Sequence, residues 1–285
     1  MANWRVVDII QSSADYLARK DVPDPRLDAE LLLGKVLDKE RLQLYLFFDR
    51  PLSSDELDTY RGYIKRRGDR EPLQHILGKT GFMNALLKTT PAALIPRPET
   101  EVLVETALSF ARDRFLRILD IGTGSGCIAI SLAMELKKAE VHALDISESA
   151  LKLARENAQR NNANITFSSL DILSETPAEG RRFDLVVSNP PYIALSEKPD
   201  LQKEVSDFDP AIALFDASDG LGFYRRFIEI LPELLVAGGR FLFEFGGKPQ
   251  ENVLLDLFLQ GGYHNLEIIQ DYNGEPRVIS GIYKP

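Results

Sequence analysis

Apolar runs alternate with amphipathic stretches through the second half of the chain. The apolar runs predict strands over residues 117–121, 140–145, 165–170, 183–188, 240–245, 265–270 and 277–283. Apolar residues at helical spacing predict helices over residues 126–137, 148–160, 221–235 and 249–259. This order indicates a mostly parallel sheet with helices on both faces. The last two strands have no helix between them, so they should form a hairpin in which one strand is antiparallel.

In the first 75 residues, the apolar positions recur at the spacing of an α-helix instead. Asp24-Pro25 and Ser53-Ser54-Asp55-Glu56 are typical of helix starts, since Pro is favoured at the first helical position and acids in the first turn. Short apolar stretches around Gly78 and Thr89-Thr90-Pro91 predict a hairpin-like linker. The sequence therefore predicts a helical domain over residues 1–75, the linker over 76–95 and an α/β domain over 96–285.

Composition narrows the class of protein. Hydrophobic residues make up 44% of the 285, which is enough for a buried core. No apolar run approaches the roughly 20 residues that cross a bilayer. The N-terminus mixes charged with apolar residues, unlike a signal or transit peptide. A single cysteine, Cys127, rules out an internal disulfide, so we expect a cytoplasmic protein without membrane partners.

Charge is distributed unevenly along the chain. The formal net charge is −9, and residues 96–285 hold 19 of the 34 basic and 29 of the 43 acidic residues. Proteins that act on duplex DNA usually carry a basic surface, because neutralising phosphates supplies much of their affinity. The acidic second part therefore argues against nucleic acid as the main substrate. The basic stretch from Arg61 to Arg70 is interpreted as a solvated helix face or, less simply, as a patch for an acidic partner.

A glycine-rich turn follows the first predicted strand of the α/β domain. Its residues are Gly122, Thr123, Gly124, Ser125 and Gly126. Glycines let the backbone turn tightly and approach a ligand closely. The spacing is GxGxG, and Cys127 stands where the NAD fingerprint has its third glycine, which favours a different nucleoside cofactor.

Acidic residues end successive strands of the same domain. Asp145, about 20 residues after the glycines, is placed to accept both hydroxyls of a ribose. Asp171 is placed to accept from an adenine amino group, and Ile172 to pack on the ring. Asp120 ends the first strand and should reach the same crevice. Three acids suit a cationic sulfonium ligand better than a pyrophosphate, although each alone is also a common cap or turn residue.

The run at 183–188 ends in Asn189-Pro190-Pro191-Tyr192, at the edge where open α/β sheets bind ligands. The two prolines make a stiff turn without backbone donors. The turn thus offers the Asn189 amide, bare carbonyl acceptors and the Tyr192 ring, which suit a planar amino group. A strand-end turn with a capping asparagine explains these four residues alone equally well.

Together these features resemble the HemK-type peptide chain release factor glutamine methyltransferases, which are class I S-adenosylmethionine-dependent enzymes. The resemblance spans nearly the whole chain. It rests on Asn189-Pro190-Pro191-Tyr192 with the glycine turn, Asp145 and Asp171, and further on Glu71-Pro72-Leu73-Gln74, the Ile95–Glu101 loop, Asp219-Gly220-Leu221, Tyr224-Arg225, Glu244-Phe245-Gly246, Asp271-Tyr272 and Arg277-Val278. The sequence departs from the family at Phe215-Asp216-Ala217, where glycines are usual, and at Ile172, where some members carry an aromatic residue.

The resemblance implies a Rossmann-like methyltransferase sheet with a small helical N-terminal domain. It also implies a substrate, the glutamine in the Gly-Gly-Gln loop of class 1 release factors. The donor would be S-adenosylmethionine and the product S-adenosylhomocysteine. The expected cofactor contacts are Gly122 to Gly126, Asp145, Asp171, Ile172 and Asn189, with the Pro96–Glu101 loop bordering the methyl end. The helical domain is expected to recognise the release factor.

The expected chemistry is geometric. The Asn189 side-chain oxygen and the Pro190 carbonyl would each accept one hydrogen of the substrate amide, and Tyr192 would pack on its plane; Pro191 completes the turn. An amino methyltransferase acting on adenine or guanine is the alternative, because its target nitrogen is also conjugated. No metal site is predicted, since His75, His142 and His264 lack ligand spacing. The long segment at 194–215 is expected to line the substrate channel.

Overall fold

The computed structural model describes residues 4–111, 116–177 and 180–285. The chain forms two compact units. One consists of Met1–Lys79 with Gln202–Phe208, and the other of Thr80–Leu201 with Asp209–Pro285. The first unit is helical and the second is built on a sheet, so the predicted fold class is confirmed.

The helical unit begins with five helices: α1 Val6–Ala18, α2 Pro25–Leu37, α3 Arg41–Leu44, α4 Ser54–Gly68 and α5 Leu73–Leu77. Pro25 is the first residue of α2, and Ser53 caps α4 in a reciprocal arrangement with Glu56. The Ser53 hydroxyl accepts from the Glu56 amide at 3.3 Å, and the Glu56 carboxylate accepts from the Ser53 amide at 2.9 Å. The core of this unit includes the fully buried side chains of Leu17 and Tyr60.

The sheet unit contains eleven strands in its described part: β1 Lys79–Phe82, β2 Ala85–Lys88, β3 Arg117–Ile121, β4 Glu140–Asp145, β5 Ile165–Ser169, β6 Phe183–Ser188, β7 Ile193–Ala194, β8 Phe215–Asp216, β9 Leu235–Glu244, β10 Glu267–Gln270 and β11 Pro276–Ile282. The remaining helices of the chain are α6 Pro98–Ala111, α7 Cys127–Glu135, α8 Glu148–Arg160, α9 Lys203–Ser206, α10 Ala211–Leu214, α11 Gly222–Leu234 and α12 Lys248–Gln260. Strands β1 and β2 form a two-stranded sheet inside the predicted hairpin-like linker.

The main sheet has seven strands in the order β10-β11-β9-β6-β3-β4-β5. Strand β11 is antiparallel to both of its neighbours. The sequence predicted an antiparallel strand here because no helix separates the last two strands. Strands β9, β6, β3, β4 and β5 are parallel. Their carboxyl ends therefore meet along one edge of the sheet.

Successive residues of each central strand point into two different hydrophobic cores. Ile118 in β3 and Leu242 in β9 pack with α6 and α7 on one face. Leu119 and Phe243 pack on the other face with α11 and α12. This period of two, with both faces buried, explains why these strands appear in the sequence as continuous apolar runs.

Two parts of the prediction need correction. Strand β9 starts at Leu235 rather than at residue 240, and its pairing with β6 is irregular between Phe183 and Leu185. Gly238, with a φ of +79°, lies in the part of β9 before residue 240, and a glycine there is not typical of a strand, so the sequence did not predict this part. The segment at 194–215 is not a plain loop, because it contains a 3₁₀ helix at Leu195–Asp200 as well as α9 and α10.

The basic stretch at the end of α4 is largely paired within the helical unit. Arg66 forms a bidentate ion pair with Glu71. Arg67 is buried and donates to Asp28 at 2.6 Å and to Glu204 at 3.1 Å. Arg70 holds the same Glu204 carboxylate with two bonds of 2.8 and 2.6 Å. The interpretation of this stretch as a solvated face is therefore wrong for Arg67.

We expect Glu204→Gln to destabilise the helical unit by about 1–3 kcal/mol, because two guanidinium groups lose a shared, largely buried carboxylate charge. The single tryptophan, Trp4, packs against the core of this unit, so its fluorescence during urea unfolding reports the loss. Asp58→Asn is the control, since that carboxylate is 77% exposed and lies 3.6 Å from Arg61. Equal midpoints for the two variants would contradict the prediction.

Within the residues that the structure describes, no helix is both long and apolar enough to cross a membrane.

Candidate active site

A cavity of about 240 Å³ opens at the carboxyl edge of the parallel strands. Ten of the predicted site residues line it: Gly122, Thr123, Gly124, Ser125, Asp145, Asp171, Ile172, Asn189, Pro190 and Pro191. Gly126 and Tyr192 are not among the lining residues. Four strands deliver these residues to one place, because β3, β4, β5 and β6 are adjacent and parallel.

The glycine turn leaves β3 and enters α7 through three residues of positive φ. Gly122, Gly124 and Gly126 have φ values of +70°, +55° and +84°. The amides of Gly122 and Thr123 both donate to the Leu144 carbonyl at 2.9 Å, which ties the turn to β4. A side chain on Gly126 would meet Ile130 and Ala154, so this glycine allows close packing of α7 with α8.

Asp120 does not reach the cavity, contrary to the prediction. Its side chain is fully buried beneath the glycine turn and accepts from the Thr123 hydroxyl at 2.6 Å. Burial raises its pKa to about 7, and the bond from Thr123 opposes that rise. The sequence places it on a strand end but gives no sign that its side chain turns under the loop.

Asp145 joins the glycine turn to the start of α8. Its carboxylate accepts from the Gly124 amide at 2.8 Å and from the Ser147 amide at 2.9 Å. Burial raises its pKa, while these two bonds act against the rise. Since each carboxylate oxygen has more than one acceptor site, Asp145 still has capacity for a ligand in the cavity.

Asp171 and Ile172 form a neighbouring part of the wall. The Asp171 carboxylate accepts from the Leu173 amide at 3.0 Å and from the Ser174 hydroxyl at 2.9 Å. It is thus a turn residue that also lines the cavity. The Ile172 side chain is buried, whereas Ile146 and Leu173 beside it are about half exposed. This part of the cavity offers an apolar surface edged by carboxylates.

Asn189 follows β6 directly, and its side-chain amide is held from one side. Its Nδ2 donates to the Thr100 hydroxyl at 3.1 Å. Within the described ranges, neither Asn189 Oδ1 nor the Pro190 carbonyl accepts a hydrogen bond. The preceding residue, Ser188, donates to the Ile121 carbonyl at 2.7 Å and so fixes the end of β6 against β3. The turn therefore presents two acceptors on a rigid base.

The backbone of Tyr192 is fixed by residues that the sequence did not point to. Gln250 donates to the Tyr192 carbonyl at 2.9 Å and accepts from the Gly246 amide at 2.9 Å. Gly220, at a φ of +81°, lies so close that a side chain there would meet the same carbonyl. Asp216 holds the loop around Gly220 by accepting from its amide at 2.9 Å.

Asp216 belongs to Phe215-Asp216-Ala217, where the sequence departs from the glycines usual in the family. Its Oδ2 accepts from the Ser218 hydroxyl and from the amides of Ser218, Gly220 and Gly222. Burial would raise the pKa of Asp216, but these bonds hold it below its ordinary value. Asp216 is thus an anion that holds the loop at residues 218–222 by accepting hydrogen bonds from its backbone amides.

The segment from Ala92 to Thr100 forms another wall, although part of it was predicted as linker. Arg97 in this wall pairs with the buried Asp209 at 2.8 Å. The lining charges are therefore one paired cation and the two carboxylates of Asp145 and Asp171. Such a cavity favours a cationic ligand over a phosphate. Among the described residues, no three His, Cys, Asp or Glu side chains are grouped to hold a metal ion.

Two solved structures share this fold. A methyltransferase from Pyrococcus furiosus is 18% identical with a TM-score of 0.51, and covers 71% of this chain and 91% of its own. The hMettl16 catalytic domain, solved with an RNA hairpin, is 15% identical with a TM-score of 0.54, and covers 70% and 77%. With the sheet order, this likeness identifies the fold as that of the class I methyltransferases.

Curated relatives narrow the class to one family. A "Release factor glutamine methyltransferase" of Geobacter sulfurreducens is 42% identical, over 98% of this chain and 96% of its own length. The protein of that name in Escherichia coli is 37% identical, over 91% of this chain and 92% of its own length. The family described as PrmC N-terminal domain matches residues 8–78, and the methyltransferase small domain matches residues 98–205. The chain belongs to the release factor glutamine methyltransferases, and the predicted family is confirmed.

Proposed function

We propose that this protein transfers a methyl group from S-adenosylmethionine to the side-chain amide nitrogen of the glutamine in the Gly-Gly-Gln loop of class 1 release factors. The observation that carries the proposal is the state of Asn189. Its amide nitrogen is engaged by Thr100, while its oxygen accepts nothing among the described residues. A primary amide has two hydrogens to donate, and the Asn189 oxygen beside the Pro190 carbonyl gives it two acceptors.

The residues around the cavity fit the proposed cofactor. Asp145 retains acceptor capacity for the ribose hydroxyls, and Ile146 and Ile172 supply an apolar surface for the purine ring. Asp171 is placed for the adenine amino group, and the glycine turn from Gly122 to Ser125 allows close backbone approach. When bound, S-adenosylmethionine supplies an electrophilic methyl carbon on a sulfonium and leaves as S-adenosylhomocysteine.

A carboxamide nitrogen is a weak nucleophile, because its lone pair is delocalised into the carbonyl. Positioning is the contribution of the protein. The Asn189 oxygen and the Pro190 carbonyl accept the two amide hydrogens. Tyr192, which follows the lining residues but does not itself line the cavity, is the ring proposed to pack on the amide plane. Holding reacting atoms at about 3–3.5 Å lowers a barrier by several kcal/mol. As the nitrogen bonds to the methyl carbon and the bond from that carbon to sulfur breaks, positive charge develops on the nitrogen, and the two acceptors stabilise it. The nitrogen then releases one of its two protons to solvent, which leaves the neutral N-methylamide.

The two parts of the chain have separate proposed roles. The helical domain, residues 1–75, recognises the body of the release factor, and residues 76–95 connect it to the catalytic domain at 96–285. The separate match of residues 8–78 to the family described as PrmC N-terminal domain supports this division. In the segment 194–215, Pro210, Ile212 and Ala213 line the cavity, which supports a role in the substrate channel.

Methylation of a purified release factor tests the proposal. The protein is incubated with labelled S-adenosylmethionine and either the intact factor or a factor whose Gly-Gly-Gln glutamine is replaced by alanine. We expect one methyl group on the glutamine of the intact factor, located by mass spectrometry of the peptide, and none on the alanine factor. Label transferred only to DNA or RNA would instead support the nucleic-acid alternative and overturn the proposal.

Gly220→Ala should lower methyl transfer about 5- to 50-fold, because the new Cβ displaces the Tyr192 carbonyl and with it the turn. Gly238→Ala is a matched control. It has nearly the same φ, +79° against +81°, but nothing lies within 4 Å of the point that its new Cβ would occupy. The two variants therefore share the backbone strain and differ in the contact. Equal activities in a steady-state assay would show that contact with Tyr192 is unimportant.

A further inference from the structure

Two buried side chains from other elements interact with the Asn189 amide. Thr100 lies in the first turn of α6, and Glu244 ends β9. Their exposed fractions are 2% and 1%. We propose that Thr100 and Glu244 are positioning residues that orient the Asn189 amide, so that its oxygen and not its nitrogen faces the cavity. This inference rests on the proposed role of Asn189 as an acceptor.

An asparagine side chain needs such orientation. The oxygen and nitrogen of its amide have almost the same size, so rotation by half a turn exchanges acceptor for donor at little steric cost. A donor facing the cavity would repel the hydrogens of a substrate amide. Ser188, bonded to β3, fixes the backbone before Asn189, but it does not determine which end of the amide points outward.

The chemistry of Glu244 determines which atoms donate and which accept in the hydrogen bonds with Thr100 and Asn189. An ionised carboxylate accepts hydrogen bonds and cannot donate. The Thr100 hydroxyl accepts from Asn189 Nδ2 at 3.1 Å and so keeps its single hydrogen for another acceptor. A hydrogen bond from Thr100 is one of the causes that lower the pKa of the Glu244 carboxyl, so we take Glu244 as that acceptor. The reversed amide would place Asn189 Oδ1 against the lone pairs of Thr100 and Glu244. With Glu244 ionised, the observed orientation pairs an Asn189 Nδ2 hydrogen that the reversed amide would turn toward the cavity.

This direction of the hydrogen bonds belongs to the ionised form of Glu244. Burial raises the pKa of its carboxyl to about 7, while hydrogen bonds from Thr100 and Asn189 and the charge of Arg277 lower it; the charge of Glu99 raises it. Its Oε2 is buried and has no hydrogen-bond partner in the described part of the chain. A carboxylate in such a site is unfavourable for folding, which is consistent with a role in the reaction rather than in stability.

Threonine variants separate orientation from packing. Thr100→Val keeps the shape but removes the hydroxyl, and we expect kcat to fall about ten- to hundredfold with KM for the release factor and cofactor affinity nearly unchanged. Thr100→Ser restores the hydroxyl and should recover most of kcat. Thr106→Val is the matched control on the same helix, because its hydroxyl donates to the Val102 carbonyl of that helix. Wild-type kcat in Thr100→Val would overturn the proposal.

Glu244→Met tests the second residue without leaving an unpaired charge. We expect an unchanged or raised unfolding midpoint in urea, because a buried carboxylate is replaced by an apolar chain of similar length. The freed Thr100 hydroxyl can then donate to Asn189 Oδ1, so kcat should fall. A variant that folds normally and retains wild-type kcat would contradict the role of Glu244.

Nuclear magnetic resonance gives a readout that does not depend on the reaction. In protein labelled with ¹⁵N-asparagine, the Asn189 side-chain NH₂ should exchange slowly with solvent in the wild type and at least tenfold faster in Thr100→Val. Asn157, whose Nδ2 donates to the Lys88 and Ser125 carbonyls, is the internal reference. Unchanged exchange would overturn the inference. Slow exchange in a wild-type protein that fails to methylate the release factor would instead contradict the proposed function alone.

Discussion

Asn189→Ala should lower kcat for release factor methylation by about 10²- to 10³-fold, the loss typical of removing one stabilising group of a polar transition state. Alanine cannot accept the substrate amide hydrogen, so the nitrogen is no longer held toward the methyl carbon. Most of the expected cofactor contacts belong to Asp145, Asp171 and the glycine turn. We therefore expect the Kd for S-adenosylmethionine to change by no more than about threefold.

Single-turnover methylation and calorimetric titration of the cofactor measure these two quantities separately. Asn164→Ala is the control, because Asn164 is exposed and lies in the connection between α8 and β5. Asn189→Asp should fall between wild type and alanine, since carboxylate oxygens accept hydrogen bonds but cannot donate to Thr100. Near-normal turnover of Asn189→Ala would remove the basis of the proposed mechanism.

Asp145→Ala should raise the Kd for S-adenosylmethionine by about 10- to 150-fold, because a hydrogen bond to a charged group contributes about 1.5–3 kcal/mol. Two effects act together in this variant. The ribose hydroxyls lose their proposed acceptor, and the amides of Gly124 and Ser147 lose a carboxylate that holds the turn and the start of α8.

Titration with S-adenosylhomocysteine measures this loss without turnover. Asp184→Ala is the matched control, because Asp184 also accepts a backbone amide, that of Arg117 at 2.8 Å, but lies near the start of β6, away from the carboxyl edge. We expect its Kd to remain within about twofold of wild type. If the two variants bound the product equally well, Asp145 would not belong to the cofactor site.

The site residues that could be predicted are those whose role follows from their immediate neighbours in the sequence. The glycine turn, Asp145 and Asn189 each stand directly after an apolar run, and parallel strands bring such positions to one edge. The family, and with it the substrate, came from motifs spread over the chain rather than from any one pattern. The resemblance was confirmed over nearly the whole length.

The residues that could not be predicted act through distant partners. Glu244 ends an apolar strand and appears in the sequence as an ordinary strand-end acid, and only the sheet order brings it near Thr100 and Asn189. Asp120 was misplaced for the opposite reason, since its position on β3 was right but its side chain turns inward. Strand ends follow from periodicity, whereas the direction of a buried polar side chain depends on the packing around it.

Assigning Gln202–Phe208 to the helical unit makes that unit discontinuous in sequence. During synthesis, Arg67 and Arg70 emerge from the ribosome long before Glu204, their shared carboxylate. An N-terminal fragment ending at Lys79 would keep both guanidinium groups and the Asp28 partner of Arg67, but it would lose the Glu204 carboxylate that the two arginines share. The first helices to be made thus gain this shared partner only after strands β3 to β6 have been translated.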